Sequence, residues 1–206
     1  MKNLSSLELR NSNISDSIPL NIGEYQSLQH LSLTHLFLGN NTLSGTLPAQ
    51  KSTSLLNIDV SYNNLIGSLP SWINQPNLEL NVVANNLAID NSKSSVLPFG
   101  LNCLQRNFPC NRGPGIYYNF SIKCGGPQLT SFTGIVYERD DENLGAASYF
   151  VTGTCRWGIS NVGYFTGSTV SRSEVTDTLD SMLFQTARTS ASSLRYYGLG
   201  KMATTL

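Results

Sequence analysis

Three sets of side chains in this chain have types and spacing that could hold a ligand or do chemistry. The first is aromatic: Tyr149 and Phe150 in ASYF, and Tyr196 and Tyr197 in LRYYG. Aromatic faces stack on the C–H faces of sugar rings while neighbouring polar groups answer the hydroxyls, and the same residues serve equally well as strand packing. The second set is acidic, Glu138, Asp140, Asp141 and Glu142 within ERDDE. Glycoside hydrolysis needs two carboxylates set apart across a cleft; these are too clustered, and such a run suits a cation site or a solvated turn. The third set is sulfur and imidazole. Cys103, Cys110, Cys124 and Cys155 contain no C-x-x-C pair, and His30 and His35 lie five apart, off the i, i+4 spacing of a helical ligand pair. A zinc site therefore has no framework, and disulfides are the better reading of the cysteines. No catalytic group, metal or cofactor is expected.

The elements that would position these side chains are clearest in residues 54–70, SLLNIDVSYNNLIGSLP. Its pattern L-x-x-I-x-V-x-x-N-x-L-x-G-x-L-P is the unit of a leucine-rich repeat. Leu55, Ile58 and Val60 line the inside of a short strand, Asn63 supplies a hydrogen-bonding side chain at the turn, and Leu65, Gly67, Leu69 and Pro70 complete the coil. One coil cannot bury its own apolar face, so the pattern demands neighbours. They are present: Leu4, Leu7 and Leu9 with Ser12 in the asparagine place; Leu33, Leu36, Leu38 and Asn41; and Leu80, Val82 and Asn85. The last two steps are 22 residues and the first is 29, because Leu28, Leu31 and Leu33 begin a coil that runs directly into Leu36 and Leu38. Two coils look spliced, with about 20 residues, one repeat, expected to be missing between Ser32 and Leu36.

Side chains alternate along a strand, so the remaining strand positions form three columns on the concave side. They are Ser6, His35, Asn57 and Glu79; Glu8, Phe37, Asp59 and Asn81; and Arg10, Gly39, Ser61 and Val83. A ligand-facing groove is expected there, with Glu8, Asn57, Asp59, Ser61 and Asn81 as hydrogen-bonders and Phe37 as the apolar contact. An ordinary solvated face would present the same columns. His35 and His30 suit surface or packing positions.

Residues 88–115 break the repeat and read as an end cap and linker. A Cys103–Cys110 disulfide would staple a short loop there, worth about 2 to 3 kcal/mol, with Leu101, Leu104 and Phe108 as cover; two free thiols are the other possibility. From residue 116 short apolar and aromatic runs alternate with glycine and small polar residues, the texture of a β-sandwich. The fold expected is mainly β: leucine-rich repeats over 1–87, the cap and linker over 88–115, and a sandwich over 116–206.

Charged residues make up 13% of the 206, and 13 basic balance 13 acidic ones, so a nucleic-acid partner is not expected. Asn3, Asn13, Asn40 and Asn119 each open an N-x-S/T sequon; with disulfide-type cysteines they point to a secreted, glycosylated chain. Yet MKNLSSLELR has no signal-peptide core, and no run of about 18 apolar residues could span a bilayer, which suggests a fragment.

The tails LSGTLP and LIGSLP match the plant type of leucine-rich repeat. FSIKCGGP, VYERDDENLGAASYFVTGT, RWGISNVGYFTG and TLDSMLFQTARTSASSLRYYGLG resemble the malectin domain of plant receptor-like kinases that carry leucine-rich repeats before malectin, and LNCLQRNFPCNRG resembles their joining segment. The resemblance implies the extracellular sensing region of a plasma-membrane Ser/Thr kinase, itself non-catalytic, with a cell-wall carbohydrate or a peptide or protein as ligand and a possible co-receptor. The kinase motifs G-x-G-x-x-G, H-R-D and D-F-G do not occur. Animal malectin holds a glucose disaccharide with aromatics and a carboxylate; Tyr149 lies near one such position, whereas Thr189 stands where another aromatic is found. After RYYGLG the family continues into further strands, so an incomplete sandwich of low stability is expected. A co-receptor or decoy without sugar binding, or an inactive truncated product, are the other roles consistent with the resemblance.

Overall fold

The computed structural model describes residues 4–19, 33–89, 101–106, 120–152, 156–165 and 170–199. In the first half eight three-residue strands follow one another: β1 (Ser6–Glu8), β2 (Ser15–Ser17), β3 (His35–Phe37), β4 (Thr42–Ser44), β5 (Asn57–Asp59), β6 (Ile66–Ser68), β7 (Glu79–Asn81) and β8 (Asn86–Ala88). β1, β3, β5 and β7 form one parallel sheet, while β2 pairs with β4 and β6 with β8. Ser6, His35, Asn57 and Glu79 stand abreast, as do Glu8, Phe37, Asp59 and Asn81. This is the register of the repeat alignment, kept across the 29-residue step; of the proposed splice between Ser32 and Leu36, Ser32 and the residues before it lie outside the described ones.

Leu36, Leu55, Ile58, Val60, Leu65 and Val82 are buried between the strands and the opposite side of the coils. An asparagine stack holds the turns. The Asn63 side chain donates to the carbonyls of Leu38 (3.1 Å) and Val60 (3.0 Å) and accepts from the Leu43 amide at 3.0 Å. Asn85 repeats this with Val60, Val82 and Leu65, and Asn41 with Leu9, Leu38 and Ser12. Each amide thus satisfies buried backbone groups of two coils at once. The tail glycines Gly45 and Gly67 have φ of 74° and 83°, a conformation that favours glycine.

The stack does not stop at Asn85. A 3-10 turn, Leu101–Leu104, is followed by Gln105, whose side chain accepts from the Leu87 amide at 3.3 Å and donates to the Val82 carbonyl at 3.2 Å. Gln105 thereby does for this end what asparagine does in each coil, and Leu101 and Leu104 are buried against the same core. The Cys103–Cys110 pairing and Phe108 lie outside what is described.

The second half comprises β9 (Ile122–Cys124), β10 (Leu129–Thr130), β11 (Val136–Asp140), β12 (Ala147–Val151), β13 (Trp157–Val162), β14 (Val170–Arg172), β15 (Thr186–Arg188) and β16 (Ser193–Gly198). β12, β13 and β16 make an antiparallel sheet, β11 lies between β10 and β9, and β14 pairs with β15. Trp157 and Ile159 pack with Phe120, Ile122, Phe150, Leu194 and Tyr196 between the sheets. β13 is buried along its entire length, because the other face of its sheet lies on the coil stack.

The acidic run is not a solvated turn throughout, because two of its carboxylates are engaged by side chains of the same half. Asp140 is 1% exposed and bonds the Arg188 Nε at 3.0 Å through both carboxylate oxygens, with Tyr196 donating to it at 2.6 Å. Glu138 takes the Trp157 indole N–H at 2.9 Å and pairs with Arg156 at 3.0 Å. Only Arg139 and Asp141, 2.7 Å apart, form a surface pair.

Candidate ligand site at the junction of the two halves

The concave columns are not an open groove. Phe37 is 1% exposed and packs against Ala147 of β12 and Val162 of β13, while Tyr149 and Val151 join the core of the coil stack. Asp59, Ser61 and Asn81 are likewise buried. The reason is the sheet laid across them, and its polar fit is specific. Tyr62 and Tyr197 hydroxyls meet at 3.0 Å, Ser160 bonds Tyr197 at 3.0 Å, and the Arg195 guanidinium lies 4.1 Å from the Tyr62 ring centre. Arg10 bonds Ser192 and Ser193 and stands 3.7 Å from Asp59. Burial pushes the Asp59 carboxyl up, opposed by Ser61, Arg10 and Arg195. Of the six expected groove residues, Glu8 keeps an exposed side chain and Asn57 is half-buried.

Strand alternation also divides the four aromatics. Tyr149 and Tyr197 face the coil stack; Phe150 and Tyr196 face the sheet behind. Tyr149 is 5% exposed and its hydroxyl is buried without a partner. All four take part in packing, the role that stood beside ligand contact in the sequence. Asn13 and Asn40 of the sequons are exposed; Asn3 and Asn119 lie outside the described residues. The Cys124 thiol is exposed and forms no disulfide among the described residues.

Where the first column emerges beside β12, the halves leave a cavity of about 300 Å3. His35, Asn57 and Glu79 line it from the coil stack; Gly145, Asn161, Tyr164 and Ser190 line it from the other side. Glu79 accepts from the Gly145 amide and the Ser148 hydroxyl, yet burial raises its carboxyl above the usual range. The His35 ring meets Tyr164 edge-on at 4.6 Å, and burial lowers its pKa, so it is neutral near pH 7. His35 and Glu79 were legible as members of a column; nothing in the sequence singled out Asn161, Tyr164 or Ser190, which reach the cavity only through the docking of distant segments.

A family model for the malectin domain matches residues 118–204. One Arabidopsis thaliana protein described as a probable leucine-rich-repeat receptor-like serine/threonine-protein kinase is 56% identical over 175 residues, 82% of this chain and 15% of its own length. Residues 118–204 are a malectin domain, and the chain as a whole is similar to a fragment of plant leucine-rich-repeat receptor-like kinases. A second such probable kinase from Arabidopsis thaliana is 57% identical over 118 residues, covering 54% of this chain and 11% of the relative. A third is 28% identical over 230 residues, 97% of this chain and 21% of that protein. The chain thus spans roughly a seventh of the length of the first of these relatives. No solved structure is matched. Among its described residues no helix is long and apolar enough to cross a membrane.

Proposed function

We propose that this chain is a non-catalytic, extracellular ligand-sensing region of a receptor-like kinase, facing outward at the plasma membrane and recognising a cell-wall carbohydrate or protein ligand. In this reading residues 1–87 are a leucine-rich-repeat solenoid, 88–115 its cap and linker, and 116–206 a malectin-like sandwich, in a chain that is a piece of a longer receptor. The observation that carries it is the malectin match over residues 118–204 in a chain more than half identical to a receptor-like kinase over most of its length. The in-register parallel strands and the asparagine stack support the solenoid assignment. Kinase activity would belong to other parts of such a receptor.

The second reading, a co-receptor or decoy that binds protein and no sugar, is favoured by the burial of Tyr149 and by the engagement of Tyr197 with Tyr62. Glycan-array binding by the secreted 206-residue chain supports the carbohydrate reading. Co-precipitation with a receptor ectodomain in the absence of any glycan binding supports the second.

A further inference from the structure

We propose that the cavity between the two halves is a receptor for an organic cation, the ammonium or guanidinium end of a lysine or arginine side chain on a peptide ligand. This deepens the protein-ligand form of the sensing reading above and rests on it.

The lining has acceptors in excess and no positive charge. Elsewhere, inward-turned carboxylates have a cation beside them: Asp140 has Arg188 at 2.9 Å, Glu138 has Arg156 at 3.0 Å, and Asp59 has Arg10 at 3.7 Å. Glu79 is half-buried and is met by the Gly145 amide and the Ser148 hydroxyl, while among the described residues no Lys or Arg lines the cavity. Withdrawal from water without a counter-charge disfavours the charged carboxylate, which is why its pKa is raised.

Asn161, on the opposite wall, adds a second acceptor. It is 3% exposed and its side-chain oxygen has no donor; a buried acceptor left unpaired is costly, and an N–H of the ligand would remove that cost. Tyr164 is 57% exposed at the rim, met edge-on by the His35 ring at 4.6 Å, and an aromatic face there attracts a cation. His35 does not compete for Glu79, because burial lowers its pKa and leaves it neutral near pH 7.

A carboxylate, an unpaired amide oxygen and an aromatic ring together suit a group with several N–H donors, no acceptor and a positive charge, which describes ammonium and guanidinium. An anion would meet Glu79 with nothing to offset the repulsion. At about 300 Å3 the cavity is at the small end of ligand pockets, enough for the end of one long side chain and too small for a folded segment. Glu79 comes from the coil stack and Asn161 and Tyr164 from the malectin half, so one cation here would engage both halves.

Titration of the full 206-residue chain with N-acetylated, C-amidated Gly-Lys-Gly and Gly-Arg-Gly, followed by NMR, tests this against Gly-Gln-Gly and Gly-Glu-Gly as neutral and anionic controls. The basic peptides should bind and shift the Asn161 side-chain signals, and the controls should not. Glu79→Gln keeps the shape and an acceptor but removes the charge, and should weaken binding about tenfold or more; Tyr164→Ala should weaken it about threefold. Unchanged affinity in Glu79→Gln, or equal binding of Gly-Gln-Gly, overturns the cation site. Tighter binding of spermidine than of either basic peptide overturns the peptide source. Co-precipitation with a receptor ectodomain while no cation binds overturns this site and leaves the protein-ligand reading standing; failure of both removes the reading and the site together.

Discussion

The Glu79 side chain lies so close to Gly145 that a Cβ at residue 145 would overlap its carboxyl group, while the Gly145 amide donates to that carboxylate. Here the coil stack and the malectin half meet through the end of the Glu79 side chain, which a Cβ at residue 145 would displace. Gly145→Ala should force Glu79 aside and cost about 1 to 3 kcal/mol, the usual range for overpacking. Urea titration of wild type and variant measures it; an unchanged midpoint would show that Glu79 can move at no cost.

Glu79 also gives the docking a pH dependence of known sign. Its folded pKa is raised above the ordinary value of 4.5, so its contribution is fully present below that value and is lost as pH rises through the folded pKa. His35, lowered from 6.5, acts oppositely, since its contribution is lost as pH falls through its folded value. Comparison with Glu79→Gln isolates the carboxylate: the variant should gain stability relative to wild type near pH 7, and the difference should shrink toward pH 4. Thermal midpoints at the two pH values decide it.

Phe37 is the apolar centre of the junction, closed in by Ala147 and Val162. Phe37→Ala should cost about 3 to 5 kcal/mol, as large-to-small changes in cores do. Limited proteolysis should show the two halves separating before the coil stack is cut.

Asn63→Ala removes bonds to Leu38, Val60 and Leu43 in one change. Backbone groups of two coils are left buried and unpaired, a loss of about 1 to 3 kcal/mol. Hydrogen exchange should quicken at the Leu43 amide before it does in β13.

Breaking the buried Asp140–Arg188 pair by Arg188→Ala should cost about 3 to 5 kcal/mol, because Asp140 is left charged and enclosed. Asp140→Asn combined with Arg188→Ala should cost less than the two single changes summed. A double-mutant cycle in urea checks this.

How far such features could be read in advance differs residue by residue. The strand register was available from the spacing of Leu36, Ile58 and Leu80, since each coil repeats the same local alternation. The asparagine stack was equally visible in Asn41, Asn63 and Asn85, but its continuation was not: Gln105 breaks both the residue type and the 22-residue step. The ERDDE run carried no sign that Asp140 would turn inward, because its partner Arg188 lies 48 residues on.

From sequence alone, periodicity determined which side chains of the first half point inward and which form the three concave columns, because that choice depends only on strand alternation within each coil. What covers those columns was decided by tertiary structure. β12 and β13, far along the chain, bury Phe37, Asp59 and Asn81 and leave His35, Asn57 and Glu79 lining a cavity. Local pattern sets the direction of a side chain, but packing between distant segments determines whether it meets solvent, another side chain or a ligand-sized space.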